Sequence, residues 1–246
     1  MKEKDREDKI YGLNSALAAF KHRQDDLAKI YLLPELQPRF KDLLNYARSQ
    51  RIAYKLVEAK ELEKITGALH HQGICLIFKS KAAPDAQTVF SAVGPGQMVM
   101  VEEVGNPHNL GGILRTAAHF GAKALVVVKT EGGPPLSTGG AMTRVAEGGA
   151  EVVPVLYLSF KETQILAKKY GWQIVATTPH NGVNLFEVKL PERTIFLLGA
   201  EGPGLSNASL KMAAMLVQIP GTDEVESLNV SVAAGLFMGR WAQLWS

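Results

Sequence analysis

Residues Ala124 to Lys129 read ALVVVK, three valines in succession with no polar alternation. A strand with one wet face alternates apolar with polar, so this run asks for cover on both faces of its sheet. Gln97 to Val104 (QMVMVEEV), Val152 to Leu156, Trp172 to Thr177, Thr194 to Leu198 and Met215 to Ile219 read as further strands. Between them fall helical stretches at Leu110 to Phe120, Ser159 to Gly171 and Ser227 to Leu244, with a short helical piece at Ala141 to Ala146 inside a glycine-rich segment. Ser159 with Glu162 three residues on has the spacing of a capping box. Strands alternating with helices predict an α/β fold: a mostly parallel sheet with helices on both faces.

A smaller αβ unit precedes it. Leu13, Leu17 and Phe20 share a helical face that Asn14 or Ser15 can start, and Phe40, Leu43, Leu44 and Ala47 share another between Pro38 and Gln50. Ile30 to Leu33, Tyr54 to Val57 and Gly73 to Phe78 are strand-like, and Ala59 to Thr66 is a short helix. Residues 1–9 read as a charged tail, 10–78 as the first domain, 79–96 as a linker on its prolines and weak periodicity, and 97–246 as the second domain.

Composition narrows the function. With 46% apolar and 21% charged residues the chain is of globular type. No apolar run reaches the roughly 18–20 residues that span a bilayer, and MKEKDREDK is too charged for a signal peptide. The expectation is a cytoplasmic protein with no membrane partner. Cys75 is the single cysteine, which excludes an internal disulfide and a cysteine-held zinc. His70 and His71 are neighbours and point apart on a helix, so no metal is expected. The net charge of +3 has its basic excess within residues 1–95, a weak pointer to a polyanionic partner that a solvated surface explains nearly as well. Neither G-x-G-x-x-G after the first strand of the second domain nor G-x-x-x-x-G-K-[ST] anywhere occurs, which disfavours a nicotinamide oxidoreductase or a P-loop enzyme.

Three strand-to-loop junctions concentrate the chemistry. Asn106 to Gly121 (NPHNLGGILRTAAHFG) is a polar turn feeding a helix, Leu197 to Ser206 (LLGAEGPGLS) is a strand ending in a glycine-rich loop, and Gln218 to Arg240 (QIPGTDEVESLNVSVAAGLFMGR) runs from strand through polar loop into helix. Strand ends of this kind jointly build pockets. Ser227 or Asn229 alone can equally be an ordinary N-cap, worth about 1 kcal/mol and no chemistry. His108, between two asparagines, reads equally as a substrate contact or a solvated turn residue.

In order and spacing the junctions resemble the three signature motifs of the SpoU-type RNA ribose methyltransferases, in the SPOUT superfamily. The first is Asn106-Pro107-His108-Asn109-Leu110-Gly111 with Arg115 and Thr116. The second is Gly199-Ala200-Glu201-Gly202-Pro203-Gly204, and the third is Ile219-Pro220 followed by Glu226-Ser227-Leu228-Asn229-Val230. Tyr11-Gly12 and His71-Gln72-Gly73 make residues 10–78 similar to the substrate-binding domain that precedes many members. The resemblance implies a deep trefoil knot, a homodimer, an RNA partner (tRNA or rRNA) and S-adenosylmethionine as cofactor. It puts the cofactor on Leu198, Gly199, Ala200, Glu201, Gly202, Gly204, Ile219, Pro220, Gly221, Ser227 and Leu228, and catalysis on Arg115 with Asn109, Glu201, Ser227 and Asn229. A guanidinium is a doubtful general base, so Arg115 is read as a phosphate clamp that stabilises charge on the 2′ oxygen. Gly221 and Asp223 stand where members commonly carry Met and Gly, and Glu147 stands where a small residue is common. These departures keep a second reading open, an RNA-binding or assembly factor with weak or lost catalysis, against which intact Arg115, Glu201, Ser227 and Asn229 argue.

Overall fold

The computed structural model describes residues 7–80, 84–129, 140–200, 202, 204–222 and 224–245. In chain order the elements are β1 (Glu7–Tyr11), α1 (Leu13–Arg23), β2 (Leu27–Leu32), α2 (Lys41–Ser49), β3 (Ala53–Leu56), α3 (Ala59–Thr66) and β4 (Ile74–Lys79). There follow α4 (Ala86–Phe90), β5 (Gly96–Val101), α5 (Pro107–His119), β6 (Leu125–Val128), α6 (Gly140–Ala146), α7 (Gly149–Val152), β7 (Val155–Leu158) and α8 (Phe160–Tyr170). The chain continues through β8 (Gln173–Thr177), β9 (Val183–Asn184), β10 (Arg193–Leu198), α9 (Asn207–Met212), β11 (Met215–Gln218) and α10 (Val230–Trp245). They divide between two compact units, one within residues 1–82 and 138–152, the other within 83–137 and 153–246.

The first unit is built on a four-stranded sheet in the order β1-β4-β2-β3, antiparallel except for the β2–β3 pair. Strand β4 alternates its side chains between two cores. Ile74, Leu76 and Phe78 pack with Ala16 and Ala19 of α1 and Leu43, Leu44 and Ala47 of α2, whereas Cys75 and Ile77 pack with Leu62 of α3. Burial pushes the Cys75 thiol up to about 11, so it behaves as a small apolar side chain.

Two features of this unit differ from the sequence expectation. Residues 7–9, read as part of a tail, belong to β1: the alternating charges hid a strand that pairs along β4, with Asp8 accepting from Arg23 at 3.0 Å and Ser80 at 2.7 Å. Helix α1 starts at Leu13, and neither Asn14 nor Ser15 caps it; Gln72 Oε1 accepts from Leu13 N at 2.9 Å instead. The two side chains turn to α6 and its continuation. Ser15 donates to the Thr143 carbonyl at 2.8 Å, and Asn14 donates to Glu147 at 3.4 Å. A Cβ on Gly140 would run into the Tyr11 ring, and the buried Arg23 guanidinium lies 3.8 Å from Glu151. Residues 140–152, which the sequence placed in the second domain, thus pack within the first unit. Glu147, at φ 45°, serves that packing.

The second unit is a seven-stranded sheet in the order β7-β6-β5-β10-β8-β11-β9, with every neighbouring pair parallel. All of β5 and β6 is buried, as the apolar runs Met98–Val101 and Leu125–Val128 require. The stretch read as a linker contains α4, capped by Asp85, and Phe90 is fully buried in the core. The Phe90 carbonyl accepts from Trp172 Nε1 at 2.9 Å and from Arg193 at 3.0 Å. No described helix is long and apolar enough to cross a membrane.

The capping box of α8 forms as its spacing predicts, with Ser159 Oγ accepting from Glu162 N and Glu162 accepting from Ser159 N at 2.7 Å. Those bonds hold the Glu162 carboxyl below its ordinary range. The cap therefore contributes fully above the ordinary carboxylate range and fades as pH falls through the lowered value. Ser159→Ala should cost about 1 kcal/mol at pH 7. In paired thermal melts, the gap between wild type and variant should narrow at pH 3.

Candidate active site

Strand order reverses between β5 and β10. From β5 the chain passes through α5 to β6 on one side, and from β10 through α9 to β11 on the other. Connections that diverge from the carboxyl ends of neighbouring parallel strands leave a crevice where ligands bind. Each sequence junction lies at such an end: Asn106 to Arg115 after β5, Gly199 to Ser206 after β10, and Ile219 to Asn229 after β11.

Direct hydrogen bonds tie the three together. Glu102, buried at the end of β5, accepts from Ser206 N at 3.2 Å, and its own N–H donates to the Leu198 carbonyl at 2.9 Å. Asn229 Nδ2 donates to Asn109 Oδ1 at 3.0 Å across 120 residues of chain. Asn229 is also the cap: its Oδ1 accepts from Ser231 N at 2.9 Å, and its carbonyl accepts from Ala233 N. One side chain thus starts α10, as the cap reading expects, and also joins the first junction to the third. Helix α10 begins at Val230, not Ser227, and Ser227 and Leu228 lie exposed in the approach to it.

Close packing of α5 on α10 sets that alignment. A Cβ on Gly112 would stand 3.1 Å from Ser231 Cβ, and one on Gly239 would stand 3.4 Å from the Phe120 ring. The far end of α10 is pinned by donors to one loop. Arg240 Nε reaches the Leu185 carbonyl at 3.3 Å, Trp241 Nε1 that of Pro191 at 3.0 Å and Trp245 Nε1 that of Leu190 at 3.1 Å.

The glycine loop after β10 folds back on itself. Gly204 N donates to the Ala200 carbonyl at 3.2 Å, and Gly202 and Gly204 have φ of 95° and 68°, a region that glycine enters without strain. A Cβ on Gly199 would stand 2.7 Å from Leu205 N and closer still to the Gly204 carbonyl. Built on Gly202, Gly204 or Gly221, it would meet nothing within 4 Å among the described residues. Among the described residues the loop is closed at Gly199 and open at Gly202 and Gly204, where a flat ligand can lie against backbone. Glu201, Pro203 and Asp223 lie outside the described residues.

Asn109 and Arg115 sit on α5 but leave it in different directions. Six positions at about 100° each place Arg115 roughly 120° round from Asn109; Arg115 is exposed, and His108 lies on its stripe. The sequence reading missed the role of Glu102, the first of two carboxylates that follow an apolar strand, and the connection after β8. That connection, residues 178–182, lies between the second and third junctions because β8 lies between β10 and β11. Gly182 N donates to Gln218 Oε1 at 3.0 Å, latching the connection to the residue that precedes Ile219-Pro220. Gly182, ending a Pro-His-Asn-Gly turn, was its signal.

Residues 96–239 match the model of the SpoU rRNA Methylase family, and residues 9–84 match that for RNA 2′-O ribose methyltransferase substrate binding. The "Uncharacterized tRNA/rRNA methyltransferase YfiF" of Escherichia coli O157:H7 is 35% identical over 98% of this chain and 69% of its own. The "23S rRNA (guanosine-2′-O-)-methyltransferase RlmB" of Pseudomonas syringae pv. tomato is 30% identical over 93% of this chain and 92% of its own. Among solved structures, the SpoU methyltransferase AviRb from Streptomyces viridochromogenes, in complex with AdoMet, superposes with a TM-score of 0.80 at 21% identity, over 96% of this chain and 89% of that one. Signature loops, sheet and relatives agree: the chain belongs to the SpoU rRNA methylase family and is an RNA methyltransferase.

Proposed function

We propose that the loops after β5, β10 and β11 form the catalytic centre for methyl transfer from S-adenosylmethionine to a ribose 2′-hydroxyl of ribosomal or transfer RNA. The observation that carries this is the joining of three distant junctions at the strand-order reversal through Glu102–Ser206 and Asn109–Asn229. The outer faces of Gly202, Gly204 and Gly221 fit a cofactor held against backbone. Leu198, Gly199, Ala200, Glu201, Gly202 and Gly204 hold it from one side, and Ile219, Pro220, Gly221, Ser227 and Leu228 from the other. When bound, it supplies a sulfonium-activated methyl group.

The residues of the chain then align the acceptor. Arg115, exposed on α5, grips an RNA phosphate with its planar fork and stabilises negative charge developing on the 2′ oxygen. Asn109 and Asn229 fix each other's amides and orient the hydroxyl, which supplies the positioning part of the rate. Glu201 steadies the glycine loop. The proton leaves to a neighbouring group or water.

The same reading includes a trefoil knot, supported by the likeness to solved members, and a homodimer. Val232 and Leu236 lie one turn apart and exposed on α10, with Leu228 ahead of them, an apolar stripe that a second copy would cover.

The reading is tested by incubating the chain with methyl-tritiated S-adenosylmethionine and 23S rRNA or tRNA, then digesting with alkali. The expected product is label in alkali-resistant dinucleotides, the mark of a 2′-O-methyl group. Absence of label in both RNAs would overturn it. Gln218→Leu removes the acceptor for Gly182 N, so cofactor affinity should fall about fivefold and stability by about 1 kcal/mol. Gln218→Glu keeps an acceptor and should recover most of both, read by calorimetry and thermal melting.

A further inference from the structure

We propose that the open edge of the first unit's sheet, formed by α2 and β3, is the surface on which this chain holds single-stranded or looped RNA, with Tyr54 as a base-stacking platform. The inference rests on RNA being the substrate, and it assigns the face.

The two edges of the sheet are unlike. At β1, residues 140–151 cover Tyr11, Asn14, Ser15 and Arg23 through the contacts described above. At the opposite edge all four residues of β3 are exposed, and its outer hydrogen-bonding side has no neighbouring strand among the described residues. Exposed edges are commonly guarded by charge, and a lysine in β3 would suffice for that. This edge carries more. Arg39, Lys41, Arg48, Arg51 and Lys55 are exposed within 17 residues that include a single acid, Asp42. Lys41, Asn45 and Arg48 fall at i, i+4 and i+7, so they share one stripe of α2.

Tyr54 supplies what a guarded edge does not need. Tyr54 is 38% exposed, the Arg48 guanidinium lies 5.8 Å from its ring centroid, and Arg48 donates to its hydroxyl at 3.5 Å. Aromatic rings beside arginines on a basic face hold single strands, because every base can stack and every nucleotide brings a phosphate. At the other end of β3 a groove of about 470 Å³ is lined by Glu35, Glu58 and Glu61 beside Leu56 and Val57, and Lys55 pairs with Glu61 at 2.6 Å. That acidic groove repels phosphate, so it bounds the footprint to the α2 side.

The test measures binding of the full chain to a 23S rRNA transcript and to a 20-nucleotide oligouridylate by fluorescence anisotropy across salt. Tyr54→Ala should weaken binding to both about tenfold, with Tyr54→Phe near wild type. Tyr54→Thr, a good strand former, should match alanine and guards against unfolding. Combined Lys41→Gln, Arg48→Gln and Arg51→Gln should flatten the log–log salt slope on the oligouridylate by about 2. Lys60→Gln with Lys64→Gln, on α3, should change neither. Wild-type affinity in Tyr54→Ala and Tyr54→Thr, or an equal loss in the α3 variant, overturns the assignment. S-adenosylmethionine titration of the same samples separates this from failure of the catalytic reading, because edge variants should bind the cofactor as wild type does.

Discussion

Arg115→Ala should keep its fold and its cofactor affinity and lose methyl transfer by about 100- to 1000-fold. The size follows from the job assigned to the side chain. One preorganised donor facing developing negative charge is worth about 3–4 kcal/mol. The residue is exposed on α5, so its removal leaves no cavity, and thermal melts run beside the assay separate a loss of fold from a loss of transfer. Arg115→Lys keeps the charge but loses the fork that matches a phosphate, and should recover only a small part of the rate. Single-turnover transfer assays beside cofactor calorimetry separate the two quantities. Near-normal turnover in Arg115→Ala would remove Arg115 from the catalytic account.

Gly199→Ala should be the most damaging single methyl group in the second unit. The new carbon would enter the backbone of Gly204 and Leu205, which cannot swing aside as a side chain would. The loop must open, which breaks the Ala200–Gly204 contact and shifts the Ser206 N–H that Glu102 accepts. A loss of about 3 kcal/mol, at the upper end for overpacking, is expected together with loss of cofactor binding. Gly221→Ala is the matched control: its added carbon meets nothing within 4 Å among the described residues, so the fold should be unaffected. Equal melting temperatures for Gly199→Ala and Gly221→Ala would show that the loop after β10 is not closed as described.

Strands whose burial is written into consecutive residues were legible from sequence, as in β5 and β6, and so were helices with local start signals. Ser159 and Glu162 define α8 from four residues alone. Elements held by distant partners were hidden. Strand β1 depends on pairing with β4, nearly seventy residues on, and its Asp8 is paired with Arg23 and accepts from Ser80. Helix α4 looked like linker because what secures it, the bonds from Trp172 and Arg193 to the Phe90 carbonyl, lies 82 and 103 residues away. The three junctions could be found by their Gly, Asn and Ser content, but their convergence could not, since it depends on strand order. Glu102 and Gln218 were invisible for a related reason. Each is a polar residue at the end of an apolar strand, and its role appears only when the neighbouring loop is in place.

The most direct test of the central claim is calorimetric titration of the purified chain with S-adenosylmethionine, repeated with S-adenosylhomocysteine. The account predicts saturable binding of both at one site per chain, with a Kd on the order of micromolar, and its loss in Gly199→Ala but not in Arg115→Ala. Folded protein that gives no binding heat with either ligand at several temperatures would contradict it.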